Sequence, residues 1–265
     1  MSKYSDIIKD LFLAKYKKGQ KRVPFEREDL AITCEKLGYP RIKNLGDIPY
    51  SFRFRQKFPQ EIIDTAPINS EWIIVGADIA KYEFRLASPA KIEPALNRQK
   101  IKIPDSTPEI LKMYAPGTDE QALLTRIRYN RLIDIFLGIT CYSIQNHFRT
   151  TVKGIGQIEV DEIYIGVNKR GAHFVIPCQA KSPGDKFGIA QVLQDIELCN
   201  QRYTSAICRP IAIQFTGEND LAILELSVSE KNSVLKLDVV DEKHYSLVPK
   251  GGLTANELII VANKE

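Results

Sequence analysis

Histidine, tryptophan and methionine are scarce in this chain of 265 residues, which holds three His, one Trp and two Met. The three histidines (His147, His173, His244) lie far apart, and the five cysteines (Cys34, Cys141, Cys178, Cys199, Cys208) show no CxxC spacing. That combination argues against a zinc site. An odd, scattered set of cysteines also argues against a disulfide framework and reads as buried thiols in a reducing cytoplasm. No run of about 18 uncharged apolar residues occurs, so no membrane-spanning helix is expected. The opening Met-Ser-Lys-Tyr-Ser-Asp lacks the apolar stretch of a secretory signal. Nothing repeats, and no segment is of low complexity.

What is present is an ordinary globular composition, 44% apolar and 26% charged. The length suits one large domain or two modest ones, each with a real core. The net charge of +4 is unevenly placed. Residues 1–60 hold 14 Lys and Arg against 7 Asp and Glu, a net +7, which leaves −3 for the remainder. A basic front portion suits contact with a polyanion, although charge asymmetry of this size also occurs on plain solvated faces.

The first 90 residues read as helices followed by a small sheet. Tyr4, Ile7, Ile8, Leu11, Phe12 and Tyr16 predict a helix over Lys3–Lys18, and a second is expected over Glu26–Leu37, stopped by Gly38 and Pro40. After a short element at Arg41–Leu45, another helix is expected from Pro59 to Asp64. Trp72–Val75 and Lys81–Leu86 read as strands joined through Gly76-Ala77-Asp78. Helices followed by a two-stranded wing resemble a winged-helix DNA-binding module, and a scaffolding subdomain fits the same pattern. Tyr50–Lys57 alternates aromatic and basic residues. As a strand it would set Arg53, Arg55 and Lys57 in one row facing phosphates or simply solvent. A second basic cluster, Lys15–Arg22 with Lys17 and Lys18, ends the first helix, where cations also suit the helix dipole.

Residues 87–118 carry five prolines and read as a linker or surface crossing. A long helix is then expected over Asp119–Asn146, with Leu123, Leu124, Ile127, Leu132, Ile135, Phe136 and Ile139 as its buried stripe. Strands at Phe148–Lys153, Gln157–Val167 and Ala172–Lys181 follow, then a helix over Asp185–Gln201 and a strand over Ser205–Phe215. Further strands are expected at Leu221–Ser227, Val234–Val240 and Leu258–Val261.

The most informative stretch is the hairpin of the second and third of these strands. A three-residue turn, Lys169-Arg170-Gly171, places Gly where a left-handed conformation is wanted. It pairs Asn168 with Ala172, and counting back sets Asp161 opposite Gln179. Strand alternation then puts Gln179 and Lys181 on one face with Asp161 beside them. Glu159 shares that face, and Glu162 points to the other. A buried Gln and Lys at the end of Phe174-Val175-Ile176-Pro177-Cys178 need a reason, although an isolated Asp and Lys at strand ends is a common pattern. Pro177 marks the strand as irregular or at an edge.

Helix, three-strand meander, helix and strand, with Asp161 and Gln179-Ala180-Lys181 in the second and third strands, resemble the PD-(D/E)xK nuclease superfamily over residues 119–216. Two departures are visible: Val160 rather than proline precedes the aspartate, and Gln179 stands where an acid is usual, as in the Mrr-like branch. The resemblance implies an α/β (α+β) protein. Its parts would be a winged-helix-like module (1–90), a linker (91–118) and a nuclease domain (119–265) with a restriction-endonuclease-like αβββαβ core. It further implies catalytic Asp161, Gln179 and Lys181. Mg²⁺ would be bound by Asp161, the Gln179 amide oxygen and the Ala180 carbonyl, helped by Glu120 or Glu159. Glu120, in the first turn of its helix, has a competing explanation in the helix dipole. Gln191 and Gln194 would reach the site or DNA, or lie on a solvated helix face. Arg53, Arg55, Lys57, Lys17, Lys18, Lys169, Arg170 and Gln191 are the DNA-contact candidates.

The activity implied is that of a type II-like restriction endonuclease cutting double-stranded DNA. It would act as a homodimer beside a companion methyltransferase in a bacterial or archaeal cytoplasm. A repair or junction nuclease of the same fold is the alternative within enzymes. A DNA-binding regulator that has lost catalysis is the alternative outside them, kept open by Gln179.

Overall fold

The periodic apolar residues at the start of the chain form α1 (Lys3–Lys15), which buries Ile7, Ile8, Leu11 and Phe12 and is capped by the Ser2 hydroxyl. In this computed structural model residues 2–40, 42–114, 119–249 and 251–263 are described. Arg41, at the start of one expected short element, and 115–118, at the end of the expected linker, lie outside them. β1 (Arg22–Glu26), α2 (Arg27–Lys36), α3 (Asp47–Phe54), α4 (Gln60–Ile63), β2 (Glu71–Asp78) and β3 (Lys81–Ala87) complete the front portion. β3 is central, with β1 and β2 antiparallel on either side. Phe12, Trp72 and Phe84 meet edge to face in its core.

Of the expected strand at Tyr50–Lys57, Tyr50–Phe54 is instead helical. Asp47 and Pro49 occupy its first turn, and Ile48 and Phe52, one helical turn apart, are buried together. The row of cations is thereby broken: Arg53 turns inward, and Arg55 and Lys57 are exposed beyond the helix end. The Pro-rich stretch is more ordered than a linker. It carries β4 (Lys91–Ile92), β5 (Lys100–Pro104) and α5 (Glu109–Tyr114).

The remaining elements are α6 (Glu120–Tyr129), α7 (Leu132–Leu137), β6 (Thr140–Val152), β7 (Gly156–Val167), β8 (His173–Lys181), β9 (Phe187–Gly188), α8 (Ile189–Arg202), β10 (Ile207–Cys208), β11 (Ile211–Phe215), β12 (Asp220–Lys231), β13 (Val234–Val248) and α9 (Ala255–Asn263). The expected long helix over 119–146 is therefore two short helices and the first half of a strand. Arg131 takes a left-handed backbone (φ 49°). Buried Asn130 locks the break by donating to Asp105 Oδ1, Thr107 Oγ1 and the Arg126 carbonyl. Gly138 (φ 66°) ends α7. Most of the helical stripe is real nonetheless, since Leu123, Leu124, Ile127, Leu132 and Phe136 all enter one core with Ile139 packed against it, whereas Ile135 is exposed. Leu258–Val261, expected as a strand, lies in α9. Thr254 and Glu257 cap that helix by reciprocal hydrogen bonds, a pattern that sequence reading passed over.

One mixed sheet runs through nearly the whole chain, in the order β1-β3-β13-β12-β11-β8-β7-β6, with β2, β5 and β10 attached at its sides. β6, β7 and β8 form an antiparallel meander, and β11 joins β8 in parallel. α6 and α7 cover one face through Leu123, Leu124 and Ile127 against Ile176, Cys178 and Ala180. α8 covers the other through Leu198 and Cys199 against Ile163 and Val175. Fully burying a side chain such as Ile176 or Ile163 contributes about 1.5–3 kcal/mol, so the meander is held firmly from both sides. The class is α+β with a large mixed sheet.

Candidate active site

The β7–β8 hairpin closes as its turn residues require. Gly171 is left-handed (φ 77°), and Asn168 Oδ1 accepts from the Arg170 and Ala172 amides at 2.9 Å each. The ladder runs from Val167↔His173 to Glu162↔Cys178, each pair summing to 340. It ends one pair short of Asp161 and Gln179.

Asp161 stands where both neighbouring strands let go. Its position is also missing from the β6 ladder, where Asn146↔Glu162 is followed by Phe148↔Val160. The skipped residue, His147, has a left-handed backbone (φ 45°). Ile158 and Val160 pack in the same cluster as Ile163 and Ile165, so strand alternation slips across Asp161-Glu162, as at a bulge that re-aims a side chain. The Asp161 carboxylate fills the opening: Oδ2 accepts from the Ala180 amide at 2.8 Å. In an antiparallel ladder the N–H and C=O of one residue point to the same side, so the Ala180 carbonyl faces this gap too.

Gln179 is buried and spoken for. Its Nε2 donates to both carboxylate oxygens of Asp195 at 3.0 Å, and its Oε1 accepts from Gln191 Nε2 at 2.6 Å. Asp195 and Gln191, one helical turn apart on α8, thus clamp the amide from behind. Burial pushes the Asp195 carboxyl well above the ordinary range, against the pull of the Gln179 hydrogen bond. Burial also raises Asp161, opposed by the Ala180 amide and by the charge of Lys181. Glu120, at the start of α6, is raised by burial and then by the charge of Asp161, and is lowered by Lys181. Asp161, Glu120 and Lys181 therefore share one electrostatic neighbourhood. Lys181 has neither a hydrogen-bond nor an ion-pair partner among the described residues. The loop after it is pinned by buried Gln214, whose Nε2 donates to the Ser182 and Asp185 carbonyls at 2.6 and 2.8 Å.

No family model, curated protein or solved structure matches this chain.

The site's chemistry thus rests on its own donors. Among the described residues no three His, Cys, Asp or Glu side chains come close enough together to hold a metal. Asp161, Glu120 and the Ala180 carbonyl are an oxygen-only set. That suits Mg²⁺, which takes one or two protein carboxylates and completes its shell with water and substrate phosphate. The Gln179 amide oxygen fits less well, because Gln191 already occupies it. Glu159 is drawn toward β6, with Arg149 Nε at 3.1 Å and His147 Nδ1 at 3.7 Å. Glu162 is sealed on the opposite face, held by Ser143 and Arg128.

The DNA-contact candidates do not form one surface row. Lys17, Lys18, Arg55 and Lys57 are exposed on the front portion, and Arg53 is mostly enclosed. Lys169 and Arg170 are exposed at the hairpin tip. The six residues from Asp161 to Val167 put that tip about 20 Å from the carboxylate. Gln191 reaches the site only through Gln179. Sequence reading overlooked Asp195, although a signal existed. Asp195 interrupts the apolar stripe Val192, Ile196, Cys199 of α8, and a carboxylate on a buried helix face needs a partner. His147 and Gln214 gave no comparable signal.

Proposed function

We propose that this protein is a Mg²⁺-dependent endonuclease that hydrolyses phosphodiester bonds in double-stranded DNA, most simply as a type II-like restriction enzyme. The observation that carries the reading is the opening in the sheet at Asp161. A carboxylate anchored by one backbone amide, a backbone carbonyl and an unpartnered lysine converge there, with Glu120 nearby. Support also comes from the order α6, β6-β7-β8, α8, β11, which is compatible with the αβββαβ order expected of a restriction-endonuclease-like core. The front order α1-β1-α2-α3-α4-β2-β3, with β3 between β1 and β2, is compatible with a winged helix that presents α3 to DNA.

In this reading Asp161 and Glu120 hold the cation, which when bound supplies Lewis-acid stabilisation and a more acidic water. Asp161 is oriented by the Ala180 amide. Lys181, free of other partners, positions the attacking water and balances charge building on the phosphate oxygens. Gln179 is a positioning residue: its amide, fixed between Gln191 and Asp195, holds the end of β8 against α8. Cutting both strands calls for two such sites, so a second copy of the chain on DNA belongs to the proposal, as does a methyltransferase protecting the host.

DNA binding without cleavage is the second reading, favoured by the Gln179 oxygen being taken by Gln191. One experiment separates them. Phage DNA digested with Mg²⁺ is expected to yield discrete fragments, and Lys181→Ala is expected to lower the rate by about 10²–10³ while leaving duplex affinity intact. Wild-type protein that binds a duplex specifically yet cuts nothing with Mg²⁺ or Mn²⁺ would leave only the second reading. Cutting confined to branched DNA would shift the substrate to repair intermediates.

A further inference from the structure

A cavity of about 390 Å³ lies between the front portion and the α8 face, away from Asp161. α3 sends Arg53 into its wall. The Nε and Nη2 atoms of this guanidinium are sealed from solvent and have no hydrogen-bond partner among the described residues. The Tyr82 ring lies 5.6 Å from the guanidinium carbon. Burial pushes the Arg53 pKa down to about 10, and no carboxylate offsets it. A guanidinium enclosed without an anion is costly, and structures rarely leave one so.

The surroundings are arranged for an anion. Arg85 and Glu230 lie 2.7 Å apart and their charges cancel, while the Arg85 Nε and Nη2 atoms are enclosed like those of Arg53 and meet no partner in hydrogen-bond geometry among the described residues. Glu197 also lines the wall, and its Oε1 accepts from Gln201. Against it stand Arg53 and Lys153, so the wall keeps a positive excess. Gln194, buried and facing the same space, has an amide with no partner among the described residues. Gly76 sets the dimensions: a Cβ there would stand 2.5 Å from the Gly154 carbonyl, so β2 and the β6–β7 turn close one end of the cavity backbone to backbone.

We infer that this cavity binds a small phosphate-bearing molecule, from inorganic phosphate to a mononucleotide, its phosphate held by the Arg53 guanidinium and the Gln194 amide. The volume suits such a ligand and excludes a duplex. A guanidinium–phosphate contact is charge-assisted and supplies the counter-charge that enclosed Arg53 lacks. Because the cavity joins the front portion to α8, whose other face clamps Gln179, its occupancy would stiffen the link between the two parts.

Thermal unfolding of the full chain with inorganic phosphate or AMP, at ionic strength matched with chloride, tests this. Wild type is expected to gain stability with ligand concentration. Arg53→Met is expected to be at least as stable as wild type without ligand, since it loses no partner, and to bind phosphate and AMP at least tenfold more weakly. Gln194→Leu is expected to weaken binding less, and the exposed Arg55→Gln not at all. A wild-type melting temperature unmoved by millimolar phosphate and AMP would overturn the inference. So would an equal response in Arg53→Met. If neither small ligand binds while Arg53→Met weakens affinity for a short duplex, the guanidinium serves DNA and the inference is wrong.

Discussion

Replacing Gln179 by the glutamate usual at this place in PD-(D/E)xK sites should harm this protein, because Asp195 already occupies the space behind it. Gln179→Glu removes an amide that donates to both Asp195 oxygens at 3.0 Å and puts a second carboxylate in its place. Two unit charges about 4 Å apart at an effective dielectric of 20 repel by about 4 kcal/mol. The pair can avoid that by keeping a proton. For a carboxyl of ordinary pKa near 4.3 this costs about 3.7 kcal/mol at pH 7, and buried Asp195 already holds its proton above the ordinary range in the wild type, so the added cost in the variant stays below that ceiling. The folded-state pKa of such a pair is raised above its unfolded value. Stability is therefore fully present below about pH 4 and is lost as pH rises, by about 1.4 kcal/mol per unit.

The expected deficit of Gln179→Glu is thus up to about 3 kcal/mol at pH 7 and smaller at pH 5. At pH 7 that corresponds to about 6–12 °C in melting temperature for a chain of this size. Asp195→Asn in the same chain returns a donor to face the introduced carboxylate and should restore most of the loss. Urea unfolding at pH 5, 6, 7 and 8 of wild type, the single variants and the double variant measures all of this. Equal stability of Gln179→Glu and wild type at pH 7, a deficit that does not shrink toward pH 5, or no rescue by Asp195→Asn would refute the reasoning.

Three further outcomes are expected. Asp161→Asn keeps an acceptor for the Ala180 amide and removes a half-buried charge whose pKa is raised, so its stability relative to wild type should grow as pH rises above about 4 while DNA cleavage is lost; urea melts and a plasmid nicking assay read the two effects. Arg128→Ala removes the counter-charge of fully buried Glu162, leaving it beside the hydroxyls of Ser143 and Tyr164, and should cost about 3–5 kcal/mol at pH 7, less at acid pH because burial raises Glu162, as denaturant midpoints would register. Gly76→Ala drives a methyl to 2.5 Å from the Gly154 carbonyl and should cost about 1–3 kcal/mol, with faster hydrogen exchange in the 153–156 turn.

Elements whose signals are local were readable from the chain. The apolar spacing of α1, the Gly171 turn and the resulting β7–β8 register needed only periodicity and turn chemistry, and the register followed by counting. Elements that depend on a distant partner were not. Nothing near Asn130 announces that its amide will be satisfied by Asp105 and Thr107, yet that contact splits the expected long helix. The aromatic–basic alternation of Tyr50–Lys57 has the period of a strand. The burial of Ile48 and Phe52 in the front core decided for the helix.

The same division runs through the candidate site. By itself the sequence determined that Asp161, Gln179 and Lys181 lie at the end of one hairpin, because strand pairing is arithmetic once the turn is known. Tertiary structure alone decided that the ladder opens on both sides of Asp161, that α8 brings Asp195 and Gln191 onto Gln179, and that Arg53 points into an enclosed space. Those outcomes depend on which surfaces pack together, and packing is a property of the whole sheet and its covering helices rather than of any one segment.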